Sequence, residues 1–225
     1  MQIAAQVFNI DVALNSILFF KDSYEPCYIT KRFDRRLDGS KIDLEDFSQI
    51  SGMTEETDGE DYKYKKSYKE ISEILKKICS AYKVEIEKFF RILVFNYLVN
   101  NGYAHIRNFS MIKNYDYNDY LLSPFYDLSD TRLHLLQETE MALDLFKNGY
   151  ETQSYKVNGH YLYEDFYEFG IKIGIRESRV KKILSDFING YNKIEEMTNR
   201  SFLNHESKSV FLMHIKLSIK KLTPQ

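Results

Sequence analysis

Residues 100–110, "NNGYAHIRNFS", decide how this chain is read. They follow "FFRILVFNYLV", 89–99, the longest apolar stretch in the sequence. Between Val84 and Val99 the residues Ile86, Phe89, Phe90, Leu93 and Tyr97 form one helical stripe. Ile92, Val94, Phe95 and Leu98 extend it nearly around the helix, which predicts a helix buried at the centre of the fold. Gly102 lets the chain turn out, so the following residues form a loop on a rigid support. Beyond the loop, "FSMI" (109–112) and "YLLS" (120–123) flank the turn-rich "KNYDYND", predicting a hairpin that delivers the chain to "SPFYDL" and Asp127.

That order matters chemically. Transfer of a phosphoryl group from ATP to a hydroxyl needs a group to receive the hydroxyl proton and oxygen ligands that hold magnesium against the phosphates. In the protein-kinase catalytic loop the first two are spaced D-x-x-x-x-N, a tight turn that aims both side chains into one cleft. Here Asn108 stands at the fifth position after Tyr103, and Asp127 stands where the second metal carboxylate belongs, past a short hairpin. His105 has no second His or Cys nearby and reads as a structural support of the loop rather than a metal ligand.

Composition sets outer bounds. The chain has 225 residues, 44% of them hydrophobic, enough for a substantial core in one large domain or two small lobes. A net charge of -2 and a pI near 6.2 give no general attraction to nucleic acid or anionic membrane. The 89–99 run is interrupted by Arg91 and Asn96 and is too short to cross a bilayer. "MQIAAQVF" lacks the basic flank and unbroken apolar run of an export signal, and Cys27 and Cys79 read as reduced core thiols. The expected setting is the cytoplasm.

Elsewhere, "SILFF" (16–20) and "CYITKRF" (27–33) read as a hairpin around "KDSYEP". "DLEDFSQI" (43–50) reads as a short helix, and 52–66 as a mobile loop. Ser67 with Glu70 marks the start of an amphipathic helix running to Tyr82. "MALDLF" (141–146) and "TQSYKV" (152–157) are candidate strands, and helices are expected over 163–173, 178–197 and 204–222.

The motifs "NGYAHIRNFS" and "LSPFYDL" resemble the N-G-D-A-H-x-K-N-F-S and L-S-P-x-Y-D-L patterns of HipA-like toxin serine/threonine kinases. "YITKRFDRR" is similar to that family's lobe-joining R-F-D-R segment, and "EKFFRILVFNYL" and "DTRLHL" also fit. The resemblance implies an α+β, protein-kinase-like fold: a truncated, strand-bearing N-lobe remnant and hinge at 1–36, then a mainly helical lobe at 37–225. It further implies ATP and Mg2+ as cofactors, Asn108 and Asp127 as metal ligands, Tyr126 as a wall of the nucleotide pocket, and Lys31, Arg32 and Phe33 as the hinge that pairs with adenine. A separate N-lobe polypeptide or an antitoxin protein would be the partner, with no direct contact to nucleic acid or membrane.

Two departures qualify that picture. Tyr103 occupies the position of the catalytic Asp, and a phenol, with an ordinary pKa of ~10, hardly accepts a proton at neutral pH. The glycine-rich phosphate loop and the ATP-binding lysine have no counterpart before the hinge. The alternative to a weak kinase is therefore a pseudokinase that binds nucleotide or a partner protein.

Overall fold

In the computed structural model, which describes residues 1–135 and 137–224, the helix α1 (Gln2–Phe8) leads into an antiparallel hairpin. Its strands β1 (Asn15–Phe19) and β2 (Pro26–Thr30) pair from Asn15↔Thr30 to Phe19↔Pro26. A second antiparallel sheet has the order β3 (Leu44–Asp46), β4 (Ser110–Asn114), β5 (Asp119–Leu122). The rest is helical: α2 (Phe47–Ile50), α3 (Glu55–Asp58), α4 (Tyr68–Ile78), α5 (Tyr82–Leu98), α6 (Gln153–Asn158), α7 (Tyr163–Lys172), α8 (Glu177–Ile188), α9 (Tyr191–Asn199) and α10 (His205–Leu222).

Helix α5 is the axis of the core, as its all-round apolar surface predicts. Ile86, Phe89, Phe90, Ile92, Leu93, Val94, Phe95, Tyr97 and Leu98 are buried, and α4, α8 and α10 pack against it. Each such side chain taken fully out of water contributes about 1.5–3 kcal/mol. Aromatic pairs extend the core outward: Phe90 stacks on Phe169 of α7, and the edge of Phe95 meets Phe8 of α1. Helix α4 starts where the sequence placed it, with the Ser67 hydroxyl accepting from the Glu70 N–H and the Glu70 carboxylate accepting from the Ser67 N–H.

Several local expectations are corrected. "DLEDFSQI" is half strand: Leu44, Glu45 and Asp46 pair with Ile112, Met111 and Ser110, and only then does Asp46 cap α2. The stretch 52–66 holds α3, capped by Thr54, and a 3-10 turn at Tyr62–Tyr64. Residues 141–146 form no strand, while 152–157 become α6 because the Thr152 hydroxyl caps its first turn. The helix expected over 178–197 breaks into α8 and α9 at Gly190, where the Phe8 ring lies 2.7 Å from the place a Cβ would occupy. Cys79 is buried, but Cys27 is partly exposed on the hairpin and is no core thiol.

Two backbone bonds place the first hairpin beside the 125–130 segment. The Phe125 N–H donates to the Asp11 carbonyl and the Ala13 N–H to the Phe125 carbonyl, both at 2.9 Å. Among the described residues no helix is long and apolar enough to cross a membrane.

Candidate active site

The loop after α5 is bound to the 127–131 segment by a run of hydrogen bonds. The Gly102 N–H donates to the Thr131 hydroxyl, which donates to the Asn100 carbonyl, both at 3.0 Å. The Asn101 amide donates to the Asp127 carbonyl at 3.0 Å. Gly102 is required here because a Cβ would fall 2.3 Å from the Thr139 carbonyl oxygen and 2.4 Å from Glu138 Cγ.

Asn108 and Asp127 meet on this scaffold, with Asn108 Nδ2 3.1 Å from Asp127 Oδ2. Asn108 is buried and Asp127 exposed, so the carboxylate faces outward over a buried amide. Asn108 Oδ1 accepts from the His105 N–H at 3.1 Å, and that N–H also reaches the Tyr103 carbonyl at 2.8 Å. In this orientation both contacts of the amide are satisfied. Turning it over points the Asn108 oxygen at the Asp127 carboxylate but sets Nδ2 against the His105 N–H, which then keeps only the Tyr103 carbonyl, so the reversed amide needs a cation between the two oxygens. A carboxylate and an amide oxygen side by side suit Mg2+, which takes one or two protein oxygens and completes its shell with phosphates and water. Among the described residues no three His, Cys, Asp or Glu side chains gather as a self-sufficient metal site.

Tyr103 lies half-exposed at the edge of this pair, its ring 4.5 Å from that of His105. Lys63 donates to the Tyr103 hydroxyl at 3.3 Å and sits over the rings of both Tyr103 and Tyr64. That hydrogen bond raises the Lys63 pKa above its ordinary value. His105 is buried against Tyr64, and its Nδ1 has no hydrogen-bond partner among the described residues. Burial, aided by the Lys63 charge, lowers its pKa to about 4, so the imidazole is neutral at neutral pH. Lys63 and Tyr64 fall in the stretch expected as a mobile loop; "DGEDYKYKKSYKEI" fits the HipA-like pattern, but that resemblance gives neither residue a role at the site.

The residues expected at the hinge, Lys31, Arg32 and Phe33, fall in two groups. Phe33 stacks on Tyr126, with ring centroids 5.8 Å apart, and the Tyr126 hydroxyl bonds to Ser110 and to the Arg107 carbonyl. Burial pushes the Tyr126 phenol up to about 12. This aromatic pair adjoins the Asn108–Asp127 pair through chain neighbours on both sides, since Tyr126 precedes Asp127 and Arg107 precedes Asn108. The side chains of Lys31 and Arg32 instead rim a shallow, open hollow with Arg35 and Arg36. Arg32 forks onto Asp34 at 2.5 and 2.8 Å, which holds that carboxyl below its usual range. The Lys31 N–H is taken by the Leu14 carbonyl, while the backbone of Arg32 and Phe33 has no backbone partner among the described residues.

A deeper cavity of about 680 Å³ opens beside Tyr103 and Asp127. Ile17 and Tyr28, cross-strand partners on the hairpin, line one side, and Leu203 and Phe211 the other.

Comparison with known proteins bears on the fold and the family. A Haemophilus influenzae protein named "Putative kinase" is 26% identical over 221 residues, covering 87% of this chain and 60% of the relative. "Putative kinase Y4dM" of Sinorhizobium fredii is 36% identical over 115 residues, 51% of this chain and 26% of the relative. The chain thus spans less than two thirds of the length of these relatives. A chain from the Shewanella oneidensis toxin–antitoxin complex of HipA, HipB and operator DNA superposes with a TM-score of 0.62 at 19% identity, covering 96% of this chain and 51% of that one. The Helicobacter pylori proinflammatory kinase CtkA gives 0.60 at 15% identity, covering 97% and 75%. The fold is α+β and kinase-like, and the family described as HipA-like C-terminal domain matches residues 1–194, so the chain belongs to that family.

Proposed function

We propose that this chain is the larger part of a HipA-like, ATP- and magnesium-dependent protein kinase that phosphorylates a protein serine, with a transfer step weakened by Tyr103. The observation that carries this reading is the meeting of Asn108 with Asp127 beside the stacked Phe33–Tyr126 pair. Asp127 and Asn108 would hold magnesium, which neutralises phosphate charge during transfer. Phe33 and Tyr126 would receive the adenine, with the Arg32 and Phe33 backbone at its edge. His105, neutral and buried, braces the loop but is a poor proton acceptor.

A lost general base costs about 100- to 10,000-fold, or about 3–5 kcal/mol at 1.36 kcal/mol per decade. Weak transfer is therefore the expectation, and it needs the phosphate-holding parts that residues 1–36, taken as a small-lobe remnant and hinge, do not supply. A small lobe outside these residues, supplied in the test as a separate polypeptide, is the proposed source. The hairpin suits such a partner: Leu18, Phe20 and Ile29 are exposed on one face, and among the described residues no third strand pairs with either strand of this two-stranded sheet. An antitoxin protein is a second partner, by analogy with the HipB of the Shewanella complex. Combining the chain with a small-lobe polypeptide and radiolabelled ATP should give phosphoprotein; no transfer at saturating partner would exclude a kinase.

The second reading, a pseudokinase acting through binding, is favoured by one contact. Lys63 holds the Tyr103 phenol at the place where an acceptor hydroxyl would approach its base. In that case Tyr103→Asp gains transfer activity while the unmodified chain only binds.

A further inference from the structure

The side chain of Asn101 uses its whole amide to join three parts of the site. Nδ2 donates to Asn96 Oδ1 in the last turns of α5 and to the Asp127 carbonyl, each at 3.0 Å. Oδ1 accepts from the Tyr103 N–H at 3.3 Å. The residue is 1% exposed, so no water competes for these groups. Such a hold matters at Asp127 because its φ of 54° lies in the left-handed region, uncommon for a non-glycine residue though tolerated by Asp, and the Asn101 bond to its carbonyl helps fix that conformation. The carboxylate direction follows from that backbone, and the same amide sets the start of the loop that ends at Asn108.

We infer that Asn101 is a positioning residue: it ties the Tyr103 backbone to the left-handed Asp127 and thereby aims the Asp127 carboxylate at Asn108. The inference rests on the proposed nucleotide and magnesium reading and adds to it the group that sets metal affinity from behind. Partners of this kind change metal affinity by about 10- to 100-fold when removed. Asn96 supplies the control, because its removal takes one bond from Asn101 and leaves the Asp127 contact in place.

The experiment titrates the full chain with AMPPNP, with and without Mg2+, using wild type, Asn101→Ala, the milder Asn101→Ser, and Asn96→Ala, each below its own melting temperature. The expected result is a loss of about tenfold or more in the magnesium-dependent affinity for the Asn101 variants, little change in metal-free affinity, and an unchanged magnesium term in Asn96→Ala. Equal magnesium terms in wild type and whichever Asn101 variant folds would overturn the positioning role, as would equal losses in Asn96→Ala. Absence of binding by wild type would instead remove the nucleotide reading itself, and the positioning role with it.

Discussion

Asn108 Nδ2 lies 3.1 Å from Asp127 Oδ2 across a separation of 19 residues, and a two-stranded hairpin, β4–β5, closes that distance. The hairpin is anchored below by α5, whose Glu85 carboxylate accepts from the Leu122 N–H at 2.9 Å. The pair is thus set by the core and not by the loop alone.

Replacing Tyr103 tests what the site has lost. Tyr103→Asp supplies a proton acceptor and frees Lys63, and transfer to a serine substrate in the presence of a small-lobe partner should rise by about 100- to 10,000-fold over wild type. Phosphate incorporation measured over time decides it, and an unchanged rate would mean that the phenol is not what limits the reaction.

The Phe33–Tyr126 stack should carry the base. Phe33→Ala removes one aromatic wall and should weaken nucleotide affinity about three- to tenfold, with a small effect on melting temperature because Phe33 is only half-buried. Competition between ATP and GTP for the variant gives a further check, since a lost wall should reduce discrimination between bases.

His105 should leave a signature in acid. Its folded pKa of about 4 lies below the ordinary value of 6.5, so the unfolded chain binds the extra proton between those limits. The stability due to the neutral imidazole is complete above pH 6.5 and declines as pH falls toward 4, with a slope of at most about 1.4 kcal/mol per pH unit. Denaturant melts of His105→Gln across that window should show a shallower slope than wild type; identical slopes would assign the acid sensitivity elsewhere.

Gly102 should resist change. Gly102→Ala drives a methyl group into the Thr139 carbonyl and Glu138, and a destabilisation of about 1–3 kcal/mol is expected from thermal melts. A neutral result would mean that the 138–139 segment gives way freely.

Much of this was legible in the sequence, for identifiable reasons. Helix α5 announced itself because a helix apolar all round has no other place than the centre, and α4 because Ser67 and Glu70 form a cap whose geometry is local. The closeness of Asn108 and Asp127 followed from loop spacing and a hairpin. What escaped depends on partners distant in the chain. Leu44–Asp46 become a strand only because β4 lies alongside. Lys63 reaches Tyr103 across a separation of 40 residues, which no local pattern in "DYKYKK" encodes.

Calorimetric titration of the unmodified chain with the magnesium complex of AMPPNP, set beside Asp127→Ala, bears on the proposal at its root. Saturable heat in the wild type that disappears in the variant, while both melt at similar temperatures, is the predicted result. Equal heats from the two proteins, or no heat from the wild type, would contradict a nucleotide–metal site at Asn108 and Asp127.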